Sequence, residues 1–84
     1  EDTIERKIEV GKRYKHFKGH KYQVIAIAYD SENYNEENPE LSRIVVYQNI
    51  ENGECWTRPY IMFNSLVDKE KYPNVNQKYR FEEI

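Results

Sequence analysis

The stretch GKRYKHFKGHKYQV, residues 11–24, decides the fold, because it joins two strand-forming runs through a turn. Aromatic and aliphatic residues alternate with charged ones on both sides of Lys18-Gly19-His20, a pattern typical of half-buried strands. Gly19 readily takes the positive φ that a tight turn requires. Residues 11–24 therefore predict a β-hairpin that gathers aromatic rings, both histidines and five of the chain's thirteen lysine and arginine side chains.

Further strands are predicted on both sides of this turn. Lys21–Tyr29 is the strongest, with Tyr22, Val24, Ala26 and Ala28 on one face and Gln23, Ile25, Ile27 and Tyr29 on the other. The other predicted strands are Val10–Phe17, Arg43–Ile50, Glu54–Arg58 and Gln77–Ile84. Asn52-Gly53 predicts a two-residue turn with positive φ at both positions.

Pro59 ends one strand, because proline cannot donate to the sheet, and its fixed φ suits the start of a helical turn. Pro59–Phe63 is therefore predicted to be one turn of helix that folds Met62 and Phe63 back onto the sheet. We predict a mainly β fold: a small, SH3-like, partly open barrel of about five antiparallel strands with a short helical turn before the last strand. A partly open sheet with one packed helix is the alternative.

The chain has 84 residues, enough for one domain. Residues 10–84 are predicted to form that domain, and residues 1–9 an N-terminal extension that is a short helix or disordered. Its net charge is -2, with basic residues concentrated in Arg6–Lys21 and acidic ones in Asp30–Glu54. The acidic segment Asp30–Ser42 lacks an apolar period and is predicted to be a mobile surface loop.

The single cysteine, Cys55, excludes an internal disulfide framework and fits a reducing, cytoplasmic location. No apolar run is long enough to span a membrane, so we expect a soluble protein without a membrane partner. We expect a monomer or a weak homodimer.

The sequence carries no recognisable catalytic constellation, so an enzyme is the weakest hypothesis, and no cofactor or metal is predicted. His16 and His20 are four residues apart, but a turn separates them and no further ligand is evident. His20 is expected to lie in solvent. His16 is either a core histidine bonded to a backbone carbonyl or a donor in a pocket. Cys55 is expected to be a buried, inert thiol.

Trp56 and Arg58 form the strongest candidate site, because residues two apart on a strand share a face. Either Trp56 fills the interior with Arg58 beside it, or the two form an aromatic and cationic face that binds a ligand. The candidate walls of that ligand site are Tyr14, His16, Tyr22, Tyr47, Met62 and Phe63.

Several motifs resemble DUF1653, a bacterial family of unknown function, from about Gly11 to Phe81. They are Gly11-x-x-Tyr14-x-His16-Phe17-Lys18-Gly19-x-x-Tyr22-x-Val24, Val45-Val46-Tyr47, Trp56-x-Arg58-Pro59, Met62-Phe63 and Arg80-Phe81. The segments Asp30–Ser42 and Asn64–Lys78 are longer than the family pattern suggests. The resemblance implies a compact, mainly β domain and brings neither a reaction nor a ligand.

Two functions therefore stand ahead of an enzyme. The first is a non-enzymatic binding module whose aromatic and arginine face holds a peptide, a nucleic acid or a small ligand. The second is a structural or accessory protein that acts through self-association or docking onto a partner along the edge strand Lys78–Glu83. A protein, a peptide and single-stranded nucleic acid are the candidate partners, although the net negative charge disfavours nucleic acid.

Overall fold

The computed structural model describes residues 6–84, which form one open, antiparallel sheet of five strands in the order β4-β3-β2-β1-β5. The strands are β1 (Arg13–His16), β2 (Lys21–Tyr29), β3 (Arg43–Asn49), β4 (Cys55–Pro59) and β5 (Phe81–Glu83). A 3₁₀ helix (Pro39–Ser42) precedes β3, and the helix α1 (Tyr60–Phe63) follows β4. The predicted mainly β domain, with five antiparallel strands and a short helical turn before the last one, is confirmed.

The sheet is curled, which gives it the character of a partly open barrel. Its two edge strands, β4 and β5, are not paired with each other. The guanidinium carbon of Arg58 on β4 nevertheless lies 5.6 Å from the ring centroid of Phe81 on β5. Residues on opposite edges therefore meet above the inner face of the sheet.

A β-bulge interrupts the alternation of β2. Val24 pairs with Tyr47, but the next pairs are Ala26 with Val46 and Ile27 with Val45, so the register shifts at Ile25. Because the extra residue reverses the pleat, Ile27 rather than Ala28 packs against the core. The prediction that Ala26 and Ala28 share a face with Val24 is wrong for this reason.

The inner face of the sheet holds an aromatic core. The rings of Phe63 and Phe81 stack with centroids 4.0 Å apart, and Tyr47 and Tyr14 meet Phe63 edge-on at 5.2 and 5.6 Å. Burying one such side chain stabilises the fold by about 1.5–3 kcal/mol. In a chain this short these rings supply much of the hydrophobic stabilisation.

The helix α1 closes one side of this core. Tyr60 and Phe63, three residues apart, both point inward and are buried. The Tyr60 hydroxyl accepts a hydrogen bond from the backbone N–H of Ile8, at 2.9 Å. Met62 is 45% exposed, so only Phe63 of the two residues predicted to fold back onto the sheet does so.

The turns differ from one another in how they form. Gly19 takes a φ of 108° in the predicted β1–β2 turn. The β3–β4 connection is longer than the predicted two-residue turn, because the Asn49 carboxamide oxygen accepts N–H groups of Glu51 and Asn52, at 2.8 and 3.0 Å. Gly53 alone has positive φ there, at 78°. The prediction of positive φ at both positions is therefore wrong.

The acidic segment 30–42 contains ordered turns and the 3₁₀ helix. Its ends are joined by a hydrogen bond from the Asp30 N–H to the Ser42 carbonyl, at 2.8 Å, and Ser42 is buried. The predicted N-terminal extension falls partly on residues 1–5, which lie outside the described residues. Residues 6–9 form no helix, and Ile8 is part of the core.

Candidate functional site

The eight residues predicted to form the site occupy different environments. His16 and Arg58 line one cavity, and Tyr22 is half-buried beside the core. The fully buried members are Tyr14, Tyr47 and Phe63, and the exposed ones are Trp56, at 51%, and Met62, at 45%. The structure thus brings His16 and Arg58 together, while Phe63 and Phe81, not Trp56, fill the interior.

The cavity around His16 and Arg58 has a volume of about 270 Å³ and draws on four separate parts of the chain. The β1–β2 turn, β4, a loop at residues 68–72 and the residue before β5 all contribute. Its lining residues are His16, Phe17, Lys18, Arg58, Asp68, Lys71, Tyr72 and Arg80. We call this the basic cavity, because four of its residues are lysine or arginine and one is acidic.

Arg58 is positioned by the core that it borders. It lies on β4 opposite Val45, which is fully buried, so its side chain starts on the inner face. Its Nε donates to the Tyr47 hydroxyl at 3.3 Å, and its guanidinium lies over the Phe81 ring. The contact with the ring is a cation–π interaction, and it directs the cationic end toward the cavity.

His16 presents a neutral imidazole to the cavity. Its Nδ1 accepts a hydrogen bond from the Lys18 backbone N–H at 3.1 Å, which places the ring proton on Nε2. Burial, followed by the positive charges of Arg58, Lys18 and Arg80, lowers the pKa of His16 from 6.5 to about 4. At neutral pH His16 is therefore an uncharged hydrogen-bond donor. Its backbone partner is the Lys18 amide N–H, whereas the core alternative assumed a carbonyl.

Two aromatic rings form a wall of the basic cavity. The Phe17 and Tyr72 ring centroids are 4.8 Å apart, and Phe17 also stacks on His16 at 4.4 Å. The Lys18 ammonium lies 5.9 Å from the Phe17 centroid and 5.7 Å from that of Tyr72. The rings therefore hold this lysine near the cavity through cation–π attraction.

The single carboxylate that lines the basic cavity, that of Asp68, accepts hydrogen bonds from the backbone of its own loop. Asp68 accepts the backbone N–H groups of Glu70 and Lys71, at 3.0 and 3.4 Å, through the same oxygen. Within residues 6–84, none of the four cations of the basic cavity forms an ion pair. Like charges around one cavity repel one another, and an anion placed between them relieves that repulsion.

Several of these residues were not predicted from the sequence. Phe17 is absent from the predicted site residues, but β1 ends at His16 and the chain then turns, which brings both rings together. The Arg80-Phe81 pair was noted as a motif, whereas nothing in residues 68–72 indicated a site. The basic composition of Arg6–Lys21 was the available signal for Lys18.

The remaining candidates lie elsewhere on the surface. His20 is exposed, in agreement with its expected place in the turn. Cys55 is also exposed, because it begins the edge strand β4, so the prediction of a buried thiol is wrong. In the part of the chain that the structure describes, no three histidine, cysteine or acidic side chains converge on a metal position.

These features define a small β domain with a cation-lined cavity at the rim of its aromatic core. The chain belongs to the family described as "Protein of unknown function (DUF1653)", whose model matches residues 12–83. The comparison with curated proteins and that with solved structures gave no match. None of the helices within residues 6–84 has the length and apolar character to cross a membrane.

Proposed function

We propose that the protein is a non-enzymatic binding module that holds the phosphate group of a small ligand in the basic cavity. The observation that carries the proposal is the convergence of Lys18, Arg58, Lys71 and Arg80 without an ion-pair partner among residues 6–84. Arginine matches the geometry of phosphate oxygens with two parallel N–H donors, and such charge-assisted hydrogen bonds are the strong ones.

The donor set supports a phosphate group over a neutral ligand. Arg58 and Arg80 are half-buried, where charges are less screened than at the surface, and the Nε2–H of His16 adds a neutral donor. Lys18 and Lys71 stand exposed at the rim. A phosphate monoester, with three terminal oxygens and close to two negative charges, can accept from several of these donors at once.

The size of the cavity favours a small phosphorylated ligand among the three ligand classes. A volume of about 270 Å³ is below the range of about 300–1,000 Å³ that is usual for drug-sized ligands. The net charge of -2 repels a long polyanion, which argues against single-stranded nucleic acid. A phosphopeptide would make its other contacts outside the cavity.

The test is a titration with inorganic phosphate, at fixed ionic strength, followed by NMR chemical shifts. Saturable shifts are expected at His16, Lys18 and Arg80. An Arg80→Gln variant should bind about tenfold more weakly or worse, because it loses charge-assisted hydrogen bonds worth about 1.5–3 kcal/mol. Arg13→Gln is the matched control, because Arg13 is exposed on β1 and does not line the cavity. Equal affinities of the two variants would refute the proposal.

Docking through a sheet edge is the second candidate function. The sequence predicts the edge strand Lys78–Glu83 as the docking edge, but the contacts of β5 favour the opposite edge, β4. On β5, the guanidinium of Arg6 already donates to the Phe81 carbonyl, at 2.7 Å. β4 is the other edge of the sheet, and Trp56 on it is 51% exposed. A partner strand could add to β4 by backbone hydrogen bonds. A single species of monomer mass at millimolar concentration, with no partner recovered, would count against docking.

We also propose a cytoplasmic location and a bacterial source. Cys55 is the single cysteine of the chain, which fits a compartment that keeps thiols reduced. The bacterial source comes from the family resemblance.

A further inference from the structure

A second concave surface, which we call the α1 groove, lies between the N-terminal segment, the 3₁₀ helix and α1. Its volume is about 760 Å³, within the usual range for ligand sites, and it shares no lining residue with the basic cavity. Any ligand of the α1 groove is therefore independent of the function proposed above.

Three exposed aliphatic side chains border the α1 groove. Leu41 is 52% exposed, Ile61 58% and Leu66 55%, and they belong to the 3₁₀ helix, to α1 and to the segment after α1. Single exposed aliphatic residues are ordinary, but three around one concavity form an apolar border that favours binding of apolar side chains.

Two arginines in the same groove keep an N–H group without an acceptor. The guanidinium carbon of Arg43 lies over the Tyr60 ring, 3.9 Å from its centroid, and the buried Nε of Arg43 has no hydrogen-bond partner within residues 6–84. The same holds for Nη2 of Arg6, although its other nitrogens donate to Asn64 and to the Phe81 carbonyl. Buried donors of this kind are rare, since leaving them unpaired is unfavourable.

The residues that line the α1 groove carry a net positive charge. Arg6, Lys7 and Arg43 stand against one acidic residue, Glu40. A ligand that matches both the apolar border and the positive charge has a carboxylate beside aliphatic side chains. Peptides with a Glu between Leu, Ile or Val residues have this composition. We propose that the α1 groove binds an extended acidic and aliphatic peptide segment of a partner protein, with its carboxylate directed to Arg43.

The test uses a defined probe, the peptide acetyl-Leu-Glu-Leu-amide, titrated into the full chain and followed by NMR. We expect saturable shifts at Leu41, Ile61 and Leu66 and at the guanidinium N–H signals of Arg43. The isosteric peptide acetyl-Leu-Gln-Leu-amide should bind about tenfold more weakly, because a charge-assisted hydrogen bond is replaced by a neutral one.

Variants on the border of the groove separate binding from folding. Ile61→Ser should weaken binding of the Glu peptide several-fold, whereas Val10→Ser should leave it unchanged. Both residues are exposed to nearly the same extent, 58% and 57%, and only Ile61 lines the groove. Neither substitution removes a buried side chain, so both variants should fold.

Three results would overturn the proposal. They are the absence of saturable shifts, equal affinity for the Glu and Gln peptides, and groove shifts that depend on protein concentration without peptide, which would make the occupant a second copy of this chain. A failed peptide titration leaves the phosphate proposal standing, because inorganic phosphate is expected to shift only the residues of the basic cavity.

Discussion

The aromatic core and the basic cavity share the inner face of one sheet, yet their chemistry is opposite. Tyr14 and His16 are two residues apart on β1, and the first is buried in the core while the second lines the cavity. Arg80 and Phe81 are neighbours divided in the same way. The centre of the sheet is filled by packed rings, whereas its rim gathers cations that lack carboxylate partners within residues 6–84.

The difference separates residues that keep the chain folded from residues that are available for binding. Removing a core ring leaves a void that the surroundings fill only in part, so the fold loses stability. Removing a cation from the cavity relieves repulsion between like charges and should affect stability little. Substitutions in the two regions test this separation, from the largest expected effect to the smallest.

Phe81→Ala should have the largest effect. Phe81 is 1% exposed and stacks on Phe63, and such a truncation typically lowers the free energy of unfolding by about 3–5 kcal/mol. Urea unfolding followed by tyrosine and tryptophan fluorescence measures the change. Met62→Ala is the control, with an expected change within about 0.5 kcal/mol because Met62 is 45% exposed. Equal losses for both variants would contradict the described core.

Arg58→Gln should affect binding more than stability. The variant loses the hydrogen bond to the Tyr47 hydroxyl, which is worth about 0.5–1.5 kcal/mol of stability. Its affinity for phosphate should fall about tenfold to a hundredfold, because charge-assisted hydrogen bonds contribute about 1.5–3 kcal/mol. Calorimetric titration and urea unfolding of the same sample compare the two effects. A variant that unfolds readily but binds normally would assign Arg58 to the core.

The stability of the fold should depend on pH through His16. Its pKa is about 4 in the folded chain, against the ordinary histidine value of 6.5, so the unfolded chain binds more protons between these pH values. The free energy of unfolding should therefore fall as the pH is lowered from 6.5 towards 4. The urea midpoint at a series of pH values measures the slope, and His16→Gln should reduce it. An unchanged slope in that variant would assign the pH dependence to carboxylates.

Trp56→Ala should have the smallest effect. Trp56 is 51% exposed and does not line the basic cavity, so the variant should keep its phosphate affinity within about threefold. The same titration measures it. A tenfold loss would extend the ligand site along β4 and restore Trp56 to the face predicted from the sequence.

The sequence predicted those parts of the fold that follow from local patterns. The bounds of β2 and the end of β4 at Pro59 follow from strand alternation and from the missing N–H of proline. The bulge at Ile25 was not predictable in this way, because a period of two does not reveal an inserted residue. Likewise, the carboxamide of Asn49 lengthened a turn that Asn52-Gly53 predicts to be short.

The candidate site could be predicted only in part. His16 and Arg58 were selected because their residue types suit a pocket, and the structure places them in one cavity. Arg80 and Tyr72 reach that cavity through the curl of the sheet and the course of an irregular loop, which are tertiary properties without a local signal. A tyrosine can line a pocket or fill a core, and its residue type does not distinguish the two. Only the packing of the folded chain shows that Tyr14 and Tyr47 are buried.

The pKa of His16, measured by NMR with and without phosphate, tests the central claim most directly. In sodium chloride the pKa should be about 4, because burial and the charges of Arg58, Lys18 and Arg80 oppose protonation. A phosphate bound among these cations adds negative charge beside the imidazole and favours its protonated form. We therefore predict that phosphate raises the pKa of His16 at constant ionic strength. The same pKa in phosphate and in chloride would contradict the assignment of the basic cavity as a phosphate site.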